Sequence, residues 1–142
     1  MRIFEITTRD GFECAFPVMR GLRDHLDEKS YFAYLDEMID QGYRLYARED
    51  AEGRIVALAG VARRTNFYYG RYIWVYDLVT SEGARSAGHG RALLEHLEDL
   101  ARHEGLDTIA LSSGLQRKDA HRFYEERVGF ERTSYAFVKR LR

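Results

Sequence analysis

Apolar and polar residues alternate in four stretches of the first eighty residues, the spacing that is typical of half-buried strands. Arg2 to Thr8 is predicted to be the first strand. Tyr43 to Arg48, Arg54 to Arg64 and Arg71 to Thr80 follow as three consecutive strands, separated by short turn-forming segments. Because short turns connect antiparallel neighbours, we predict that these three strands are antiparallel.

Two helices are predicted between the first and second strands. Their apolar side chains recur every three or four residues, namely at Phe12, Phe16, Met19, Leu22 and Leu26, and then at Phe32, Leu35, Met38 and Ile39. We expect Asp10 and Ser30 to be the N-caps, and Gly42 to end the second helix. Pro17 lies inside the first pattern and is expected to kink that helix or to delay its start.

The stretch from Asp77 to Gly105 is predicted to contain the end of a strand, a glycine-bearing loop and an amphipathic helix. One face of this helix is apolar and consists of Leu93, Leu94, Leu97, Leu100 and Ala101. The next strand, Asp107 to Ser113, is predicted to lie parallel to the strand that ends at Thr80, because a helix connects the two.

A fourth helix is predicted over Arg117 to Val128, with Gly129 at its end. The alternation from Phe130 to Leu141 predicts a last strand or hairpin. Together these elements predict an α/β (α+β) fold. Its central sheet is mixed and mostly antiparallel, contains about six or seven strands, and carries four helices on its two faces.

The composition is that of one globular domain over residues 1–142, with 45% hydrophobic and 32% charged residues. The net charge of −1 gives no electrostatic argument for a nucleic acid or an anionic membrane as partner. No apolar run approaches the roughly 18 residues of a membrane span, and no signal-peptide pattern is present, so we expect a cytoplasmic protein. Cys14 is the only cysteine, which excludes an internal disulfide and a cysteine metal cluster.

The loop Arg85-Ser86-Ala87-Gly88-His89-Gly90 places two glycines where a helix begins. A helix start leaves about four N–H groups without partners and carries about half a positive charge, so a glycine-bearing loop can surround a phosphate or a diphosphate. The alternative is that the glycines only make a tight turn. A Walker loop is excluded because Gly-Lys-Ser/Thr is absent, and the dinucleotide fingerprint because Leu93 replaces its third glycine.

Two motifs about thirty residues apart give the chain a resemblance to a known family. Arg85-x-x-Gly88-x-Gly90 matches the Gln/Arg-x-x-Gly-x-Gly/Ala loop with which members of the GNAT superfamily of N-acyltransferases bind acyl-CoA. Ala120-His121-Arg122-Phe123-Tyr124, followed by Gly129-Phe130, matches that family's second signature, Ala-x-x-x-Tyr…Gly-Phe. The predicted order of elements resembles the family over nearly the whole chain, most specifically over residues 76–130.

The resemblance implies acetyl-CoA as cosubstrate and a set of binding positions. Leu78, Val79 and Thr80 lie where family members pair their main chain with the pantetheine arm. The pyrophosphate position corresponds to Arg85, Ser86, Ala87, Gly88, His89, Gly90 and Arg91. Tyr124 lies where many members place a general acid beside the thioester sulfur. Asp77 lies near the position of a Glu that activates the amine, directly or through water.

The sequence departs from the family pattern at two places. Arg117 stands where the family often has Asn, three residues before the helix alanine. The spacing from Tyr124 to Gly129 is five residues where four is usual, so we expect a distorted helix end after Tyr124. The tail from Ser112 to Phe130 also resembles the aminoalkylphosphonate N-acetyltransferase branch, which hints at a small amine acceptor.

Acyl transfer from a thioester to an amine suits these residue types. A primary amine has a pKa near 10.4, so forming the neutral nucleophile at pH 7 costs about 4.6 kcal/mol, and Asp77 or a water that it polarises is the candidate proton acceptor. Tyr124 is the candidate acid for the leaving thiolate, and a main-chain N–H near Leu78 or Val79 is the candidate oxyanion donor. The alternative for Asp77 is an exposed edge residue or an ordinary hydrogen-bonded carboxylate. The alternative for Tyr124 is a core residue whose hydroxyl reaches water.

The five histidines form no metal-binding pattern, and no metal is expected. His89, between the loop glycines, is expected to be exposed. Arg117 and Lys118 either meet the 3′-phosphate of coenzyme A or belong to a solvated charge run.

These observations predict an acetyl-CoA-dependent N-acetyltransferase that acetylates a primary amine of a small molecule by direct attack in a ternary complex. The alternatives are a protein-lysine or N-terminal acetyltransferase and a non-catalytic acyl-CoA-binding sensor. Asp36, Glu37 and Asp40 would attract a cationic acceptor of either kind. An aromatic cluster lines an acceptor cleft or forms a homodimer contact, and it consists of Phe67, Tyr68, Tyr69 and Tyr72.

Overall fold

The computed structural model of the protein describes residues 2–85 and 87–142. Packing divides the chain into two compact units, Met1–Leu111 and Ser112–Arg142. The first unit contains strands β1 (Arg2–Ile6), β2 (Arg44–Glu49), β3 (Ile55–Asn66), β4 (Gly70–Thr80) and β5 (Ile109–Leu111), and helices α1 (Arg9–Met19), α2 (Glu28–Asp40) and α3 (His89–His103). The second unit contains helix α4 (Lys118–Arg122). That the chain is a single domain stays a prediction.

The five strands form one sheet in the order β1-β2-β3-β4-β5. The first three pairings are antiparallel, and β4 pairs with β5 in parallel. This confirms the mixed, mostly antiparallel sheet and the parallel last pair, which α3 connects. The predicted number of six or seven strands is wrong, because the part of the chain that the structure describes contains five.

The missing strand is the one predicted over Phe130 to Leu141, where the structure has no regular secondary structure. The side chain of Phe137 is 95% exposed, and Tyr135 and Leu141 are exposed as well. Alternation gives a segment two faces, but a strand also requires a neighbouring backbone to accept and donate hydrogen bonds, and no pattern within the segment supplies that neighbour.

The helices of the first unit cover both faces of its sheet. The apolar side of α1 and α2 packs with Leu45 and Ala47 of β2 and with Val79 of β4. Tyr46 lies between Leu45 and Ala47 and therefore points to the opposite face, where its ring is 5.2 Å from the ring of His96 in α3. Most of the leucine face predicted for α3 is buried: Leu93, Leu94 and Leu97 are almost fully enclosed, and Leu100 is partly buried.

Both predicted N-caps of the first two helices are wrong by a few residues. Thr8 caps α1, since its hydroxyl accepts a hydrogen bond from the Gly11 N–H at 3.1 Å. Asp27 caps α2 in a reciprocal capping box, in which Ser30 is the partner three residues along. Asp, Ser and Thr are nearly equivalent caps, so residue type alone does not choose among neighbouring candidates.

The first helix is shorter than its apolar pattern. It ends at Met19, two residues after Pro17, and leaves Leu22 and Leu26 outside the helix. Pro17 has no N–H to donate to the preceding turn, which weakens the ladder near this end. Gly42 has a φ of +97° just beyond α2, consistent with the predicted stop.

The second unit contains the distorted helix end that the five-residue spacing predicts. After α4 the chain continues as a π-helical turn over Phe123–Arg127, and the Phe130 N–H donates to the Tyr124 carbonyl at 2.8 Å. A π-turn accommodates one extra residue without breaking the helix. Gly129, with a φ of +78°, ends the turn as predicted. Throughout residues 2–85 and 87–142, no helix is both long enough and apolar enough to cross a membrane.

Candidate active site

The start of α3 has a glycine as its N-cap, so the N-cap residue itself offers no side chain to the first main-chain donors. Gly88 is the N-cap, has a φ of +81° in the left-handed region, and makes no side-chain cap hydrogen bond. The first helical bond runs from the Ala92 N–H to the Gly88 carbonyl at 3.1 Å, so the N–H groups of His89, Gly90 and Arg91 lie before the ladder. Such a helix start is suited to bind an anion.

Arg85 and Ala87 are exposed, and Ser86 lies outside the described residues. The Arg91 guanidinium pairs with Glu95 one turn further along α3, at 3.1 Å. The loop's attraction for an anion therefore comes mainly from its backbone, with Arg85 as the exposed cation beside it.

The prediction that His89 is exposed is wrong, because its side chain is only 5% exposed. Burial and the nearby charge of Arg48 lower the pKa of His89, and Asp50 opposes them. Its Nδ1 is buried and has no hydrogen-bond partner among the described residues. His89 is therefore neutral at pH 7 and acts as a packing residue beneath the loop rather than as a cation.

The buried His89 makes folding stability sensitive to mild acid. Its folded pKa lies below the unfolded value of 6.5, so the unfolded chain binds a proton more readily than the folded one. The contribution of neutral His89 to the free energy of unfolding is therefore complete above pH 6.5, and it is lost as the pH falls from 6.5 toward the folded pKa. We expect the urea concentration at the unfolding midpoint to decrease when the pH is lowered from 7.5 to 5.5. His89→Phe should make this decrease smaller. His103→Gln, an exposed control on α3, should leave the decrease as it is; an identical pH dependence in all three proteins would contradict this account.

A β-bulge interrupts β4 next to the carboxylate that the sequence singled out. Gly60 of β3 pairs with Asp77, whereas the next residue, Val61, pairs with Val75, so Tyr76 is the extra residue. Its carbonyl accepts a hydrogen bond from Nη2 of Arg23 at 2.7 Å. The bulge changes the register of the strand just before Leu78.

Both oxygens of Asp77 accept hydrogen bonds, and the residue is 7% exposed. The Tyr43 hydroxyl donates to Oδ2 at 2.7 Å, and Nε of Arg23 donates to Oδ1 at 3.0 Å. Burial and the charge of Asp77 raise the pKa of Tyr43 well above its ordinary value, so the hydroxyl keeps its proton and remains a donor. Asp77, Tyr43 and Arg23 form what we call the Asp77 network.

Sequence reasoning found Asp77 but missed its two partners. Gly60 was an available signal, since a glycine inside a strand often marks the close approach of another group. A Cβ on Gly60 would overlap the Tyr43 hydroxyl and would lie 2.7 Å from Oδ2 of Asp77. Arg23 had no comparable signal, because it is 54 residues from Asp77 in the chain.

The end of β4 has one unpaired edge. Toward β3, pairing continues through Leu78, Val79 and Thr80. Toward β5, pairing covers only Ile73–Val75, and no other described strand adjoins β4 on that side. Apart from the Tyr76 carbonyl, which accepts from Arg23, the main chain from Tyr76 to Thr80 therefore presents donors and acceptors to an extended ligand, at the strand end that leads into the α3 loop.

Tyr124 belongs to the second unit, where it is 8% exposed. Its ring lies 5.6 Å from the rings of Phe123 and Phe130. Burial raises the pKa of Tyr124, and Arg117, the N-cap of α4, opposes this effect. The hydroxyl is therefore protonated at neutral pH, as a proton donor must be. The seven-residue spacing of Arg117 and Tyr124, two helical turns, was the signal for their proximity.

The remaining candidates contribute no metal site. Across residues 2–85 and 87–142, no group of three His, Cys, Asp or Glu side chains is arranged to hold a metal ion. Cys14 is exposed. The acidic residues Asp36, Glu37 and Asp40 are exposed on α2.

Comparison with known proteins places the chain in a family. A sequence profile of the Acetyltransferase (GNAT) family matches residues 6–130. The chain is 40% identical over 136 residues to the uncharacterized N-acetyltransferase YhdJ of Bacillus subtilis (strain 168), with 95% of each chain covered. It is 27% identical over 139 residues to the aminoalkylphosphonate N-acetyltransferase of Salmonella typhimurium, with 95% of this chain and 88% of the relative covered.

Solved structures share the fold. A transcriptional regulator from Bacillus halodurans C-125 superposes with a TM-score of 0.82 at 25% identity, with 99% of both chains covered. AAC(6')-Iy, solved with the bisubstrate analogue CoA-S-monomethyl-acetylneamine, superposes with a TM-score of 0.83 at 14% identity, with 99% of this chain and 97% of that chain covered. From the glycine loop, the unpaired end of β4 and these matches, we conclude that the chain belongs to the GNAT family and is an acetyl-CoA-dependent N-acetyltransferase.

Proposed function

We propose that this enzyme transfers the acetyl group of acetyl-CoA to a primary amine of a small molecule, by direct attack in a ternary complex. The observation that carries the proposal is the unpaired edge of β4 from Tyr76 to Thr80, which leads into the start of α3 at its N-cap, Gly88. An extended pantetheine arm adds to such an edge as a short strand would, and a diphosphate suits the helix start.

The coenzyme-binding residues follow from this arrangement. Leu78, Val79 and Thr80 offer main-chain groups to the pantetheine arm. The diphosphate is bound by the loop residues Arg85, Ala87, Gly88, His89, Gly90 and Arg91, together with Ser86, which lies outside the described residues. His89 contributes its N–H rather than its buried imidazole.

The chemistry is divided between a proton acceptor and a proton donor. Asp77 is the proposed acceptor for the proton of the amine, directly or through water. Because both of its oxygens are already hydrogen-bonded, it must exchange one of these bonds for the amine or the water. Tyr124 is the proposed acid for the departing thiolate, since its raised pKa keeps the hydroxyl protonated. An N–H near Leu78 polarises the thioester carbonyl.

A small-molecule acceptor is favoured by the relative that acts on aminoalkylphosphonates, which matches nearly the whole chain. A protein-lysine or N-terminal acceptor and a non-catalytic acyl-CoA sensor are the competing functions. The aromatic cluster is compatible with both an acceptor cleft and a homodimer contact. Phe67 and Tyr68 are exposed at the tip between β3 and β4. The rings of Tyr69 and Tyr72 lie 5.1 Å apart.

The test is acetyl-CoA cleavage, measured by thiol release. The assay is run with and without a panel of small amines, of peptides that offer a lysine side chain, and of peptides that offer a free N-terminus. We expect turnover that depends on a small amine. Gly90→Val should weaken acetyl-CoA binding at least about tenfold, because a branched side chain would stand between the diphosphate and the loop N–H groups.

Ala51→Val, in the exposed turn between β2 and β3, is the matched control and should leave acetyl-CoA affinity unchanged. Preferred turnover of peptides would replace the small-molecule proposal, and tight coenzyme binding without turnover would favour the sensor. An unchanged dissociation constant for Gly90→Val would refute the assignment of the loop.

A further inference from the structure

Arg23 is held against β4 by one edge of its guanidinium. It lies between α1 and α2, where Nε donates to Asp77 Oδ1 at 3.0 Å and Nη2 donates to the Tyr76 carbonyl at 2.7 Å. In the planar guanidinium, Nε–H and one N–H of Nη2 point to the same side. The side-on edge of Arg23 is therefore bound to the strand, and the orientation of the group is set by the protein.

The other edge of the same group remains available. A guanidinium has five N–H donors, and the two contacts with β4 use two of them. Nη1 has no hydrogen-bond partner in the part of the chain that the structure describes, and the Arg23 side chain is 41% exposed. The free Nη1 and Nη2 donors form the fork that pairs with two oxygens of a carboxylate, phosphate or phosphonate.

This fork lies next to the strand segment that is proposed to hold the thioester. The chain that leads to Arg23 passes Gly21, where an added Cβ would lie 3.8 Å from Cγ2 of Val79. Arg23 itself contacts Tyr76 and Asp77, which immediately precede Leu78. An acceptor whose amine approaches the thioester at Leu78 thus has Arg23 within the reach of a short linker.

We propose that Arg23 determines acceptor specificity by binding an anionic group that the acceptor carries in addition to its amine. This inference rests on the proposed function and names its substrate class: short amino acids of the carboxylate, phosphate or phosphonate kind. Because Asp77 and Tyr76 already hold the guanidinium, it loses little further freedom when it binds an anion. A second cation on the acceptor would be repelled at the same place.

The experiment compares acceptors of similar length: aminoethylphosphonate, β-alanine and propylamine. The measured quantity is the ratio of kcat/KM for each acid to kcat/KM for propylamine. We expect this ratio to be at least about 30 in the wild type for one or both acids, the size expected of a charge-assisted hydrogen-bonded pair. Arg23→Gln should reduce it to within about threefold of unity. Any damage to Asp77 affects all three amines and largely cancels in the ratio.

Two further variants separate specificity from folding. Arg23→Lys retains the charge but lacks the fork, and should retain only part of the preference. Arg20→Gln removes an exposed arginine near the end of α1 and should retain the wild-type ratio. A phosphonate preference without a carboxylate preference would identify the dianionic group as the ligand, and the reverse would identify a carboxylate.

Binding of propylphosphonate, which has no amine, is measured by titration calorimetry as a readout that needs no turnover. We expect the wild type to bind it and Arg23→Gln to bind it at least about tenfold more weakly. No binding of propylphosphonate to a wild type that prefers aminoethylphosphonate over propylamine, or a ratio that Arg23→Gln leaves unchanged for both acids, would overturn the role of Arg23. Turnover of propylamine under those conditions would leave the proposed acetyl transfer intact, so the two failures are distinguishable.

Discussion

Replacing Tyr124 with phenylalanine is expected to lower kcat about 100-fold, the lower range for the loss of a general acid. The ring of Tyr124 is buried and contacts the rings of Phe123 and Phe130, so phenylalanine preserves the packing and removes only the hydroxyl. The dissociation constant of acetyl-CoA should change less than about threefold, because a proton donor to the leaving thiolate acts mainly in the transition state. Steady-state kinetics and calorimetry measure the two quantities.

Tyr135→Phe is the matched control, since Tyr135 is an exposed tyrosine of the same unit. Its kcat should equal that of the wild type. If Tyr124→Phe also turned over at the wild-type rate, Tyr124 would be a core residue with a wet hydroxyl, the alternative that the sequence left open. Equal losses in kcat and in coenzyme affinity would indicate a binding role instead.

Gly60→Ala is expected to remove about 3 kcal/mol from the free energy of unfolding. The added methyl group would overlap the Tyr43 hydroxyl and would lie 2.7 Å from Oδ2 of Asp77. The Tyr43 hydroxyl must then move away from Asp77, so the buried Oδ2 of Asp77 loses its hydrogen-bond donor. The added methyl group also overpacks the space beside β3. Urea unfolding followed by circular dichroism measures the loss.

The Asp77 network also predicts that Gly60→Ala affects catalysis as well as stability. If the hydrogen bond from Tyr43 positions Asp77 for the amine, kcat falls in whatever fraction remains folded. Gly83→Ala is the control, because an added Cβ at Gly83 meets no atom within 4 Å. A Gly60→Ala protein as stable as Gly83→Ala would show that Tyr43 and Asp77 are not packed as closely as the structure has them.

The glycine loop shows what could be learned from sequence. Two glycines before a leucine-faced helix predicted a helix start that can bind an anion, and the structure has α3 begin directly after Gly88. The loop forms from neighbouring residues, so a local pattern is sufficient to describe it. The extra residue after Tyr124 predicted a distorted helix end in the same way, and a π-turn is present there.

Burial was less predictable. His89 was expected to be exposed because it stands between two glycines of a surface loop, yet it is buried near Arg48 of β2. The strand predicted over Phe130 to Leu141 had the required alternation but has no partner strand. In both cases the outcome depended on a distant segment, about which the local pattern carries no information.

Local regularities of the chain were sufficient for the order of the elements up to α4, for the parallel pairing across α3 and for the position of the glycine loop. They were sufficient because hydrophobic periodicity and glycine placement act over a few residues. The bulge at Tyr76, the unpaired edge of β4 and the contacts of Arg23 and Tyr43 with Asp77 depend on three-dimensional packing. Each of these features depends on how segments that are far apart in the chain are placed, and that placement is specified only when the strands and helices pack together.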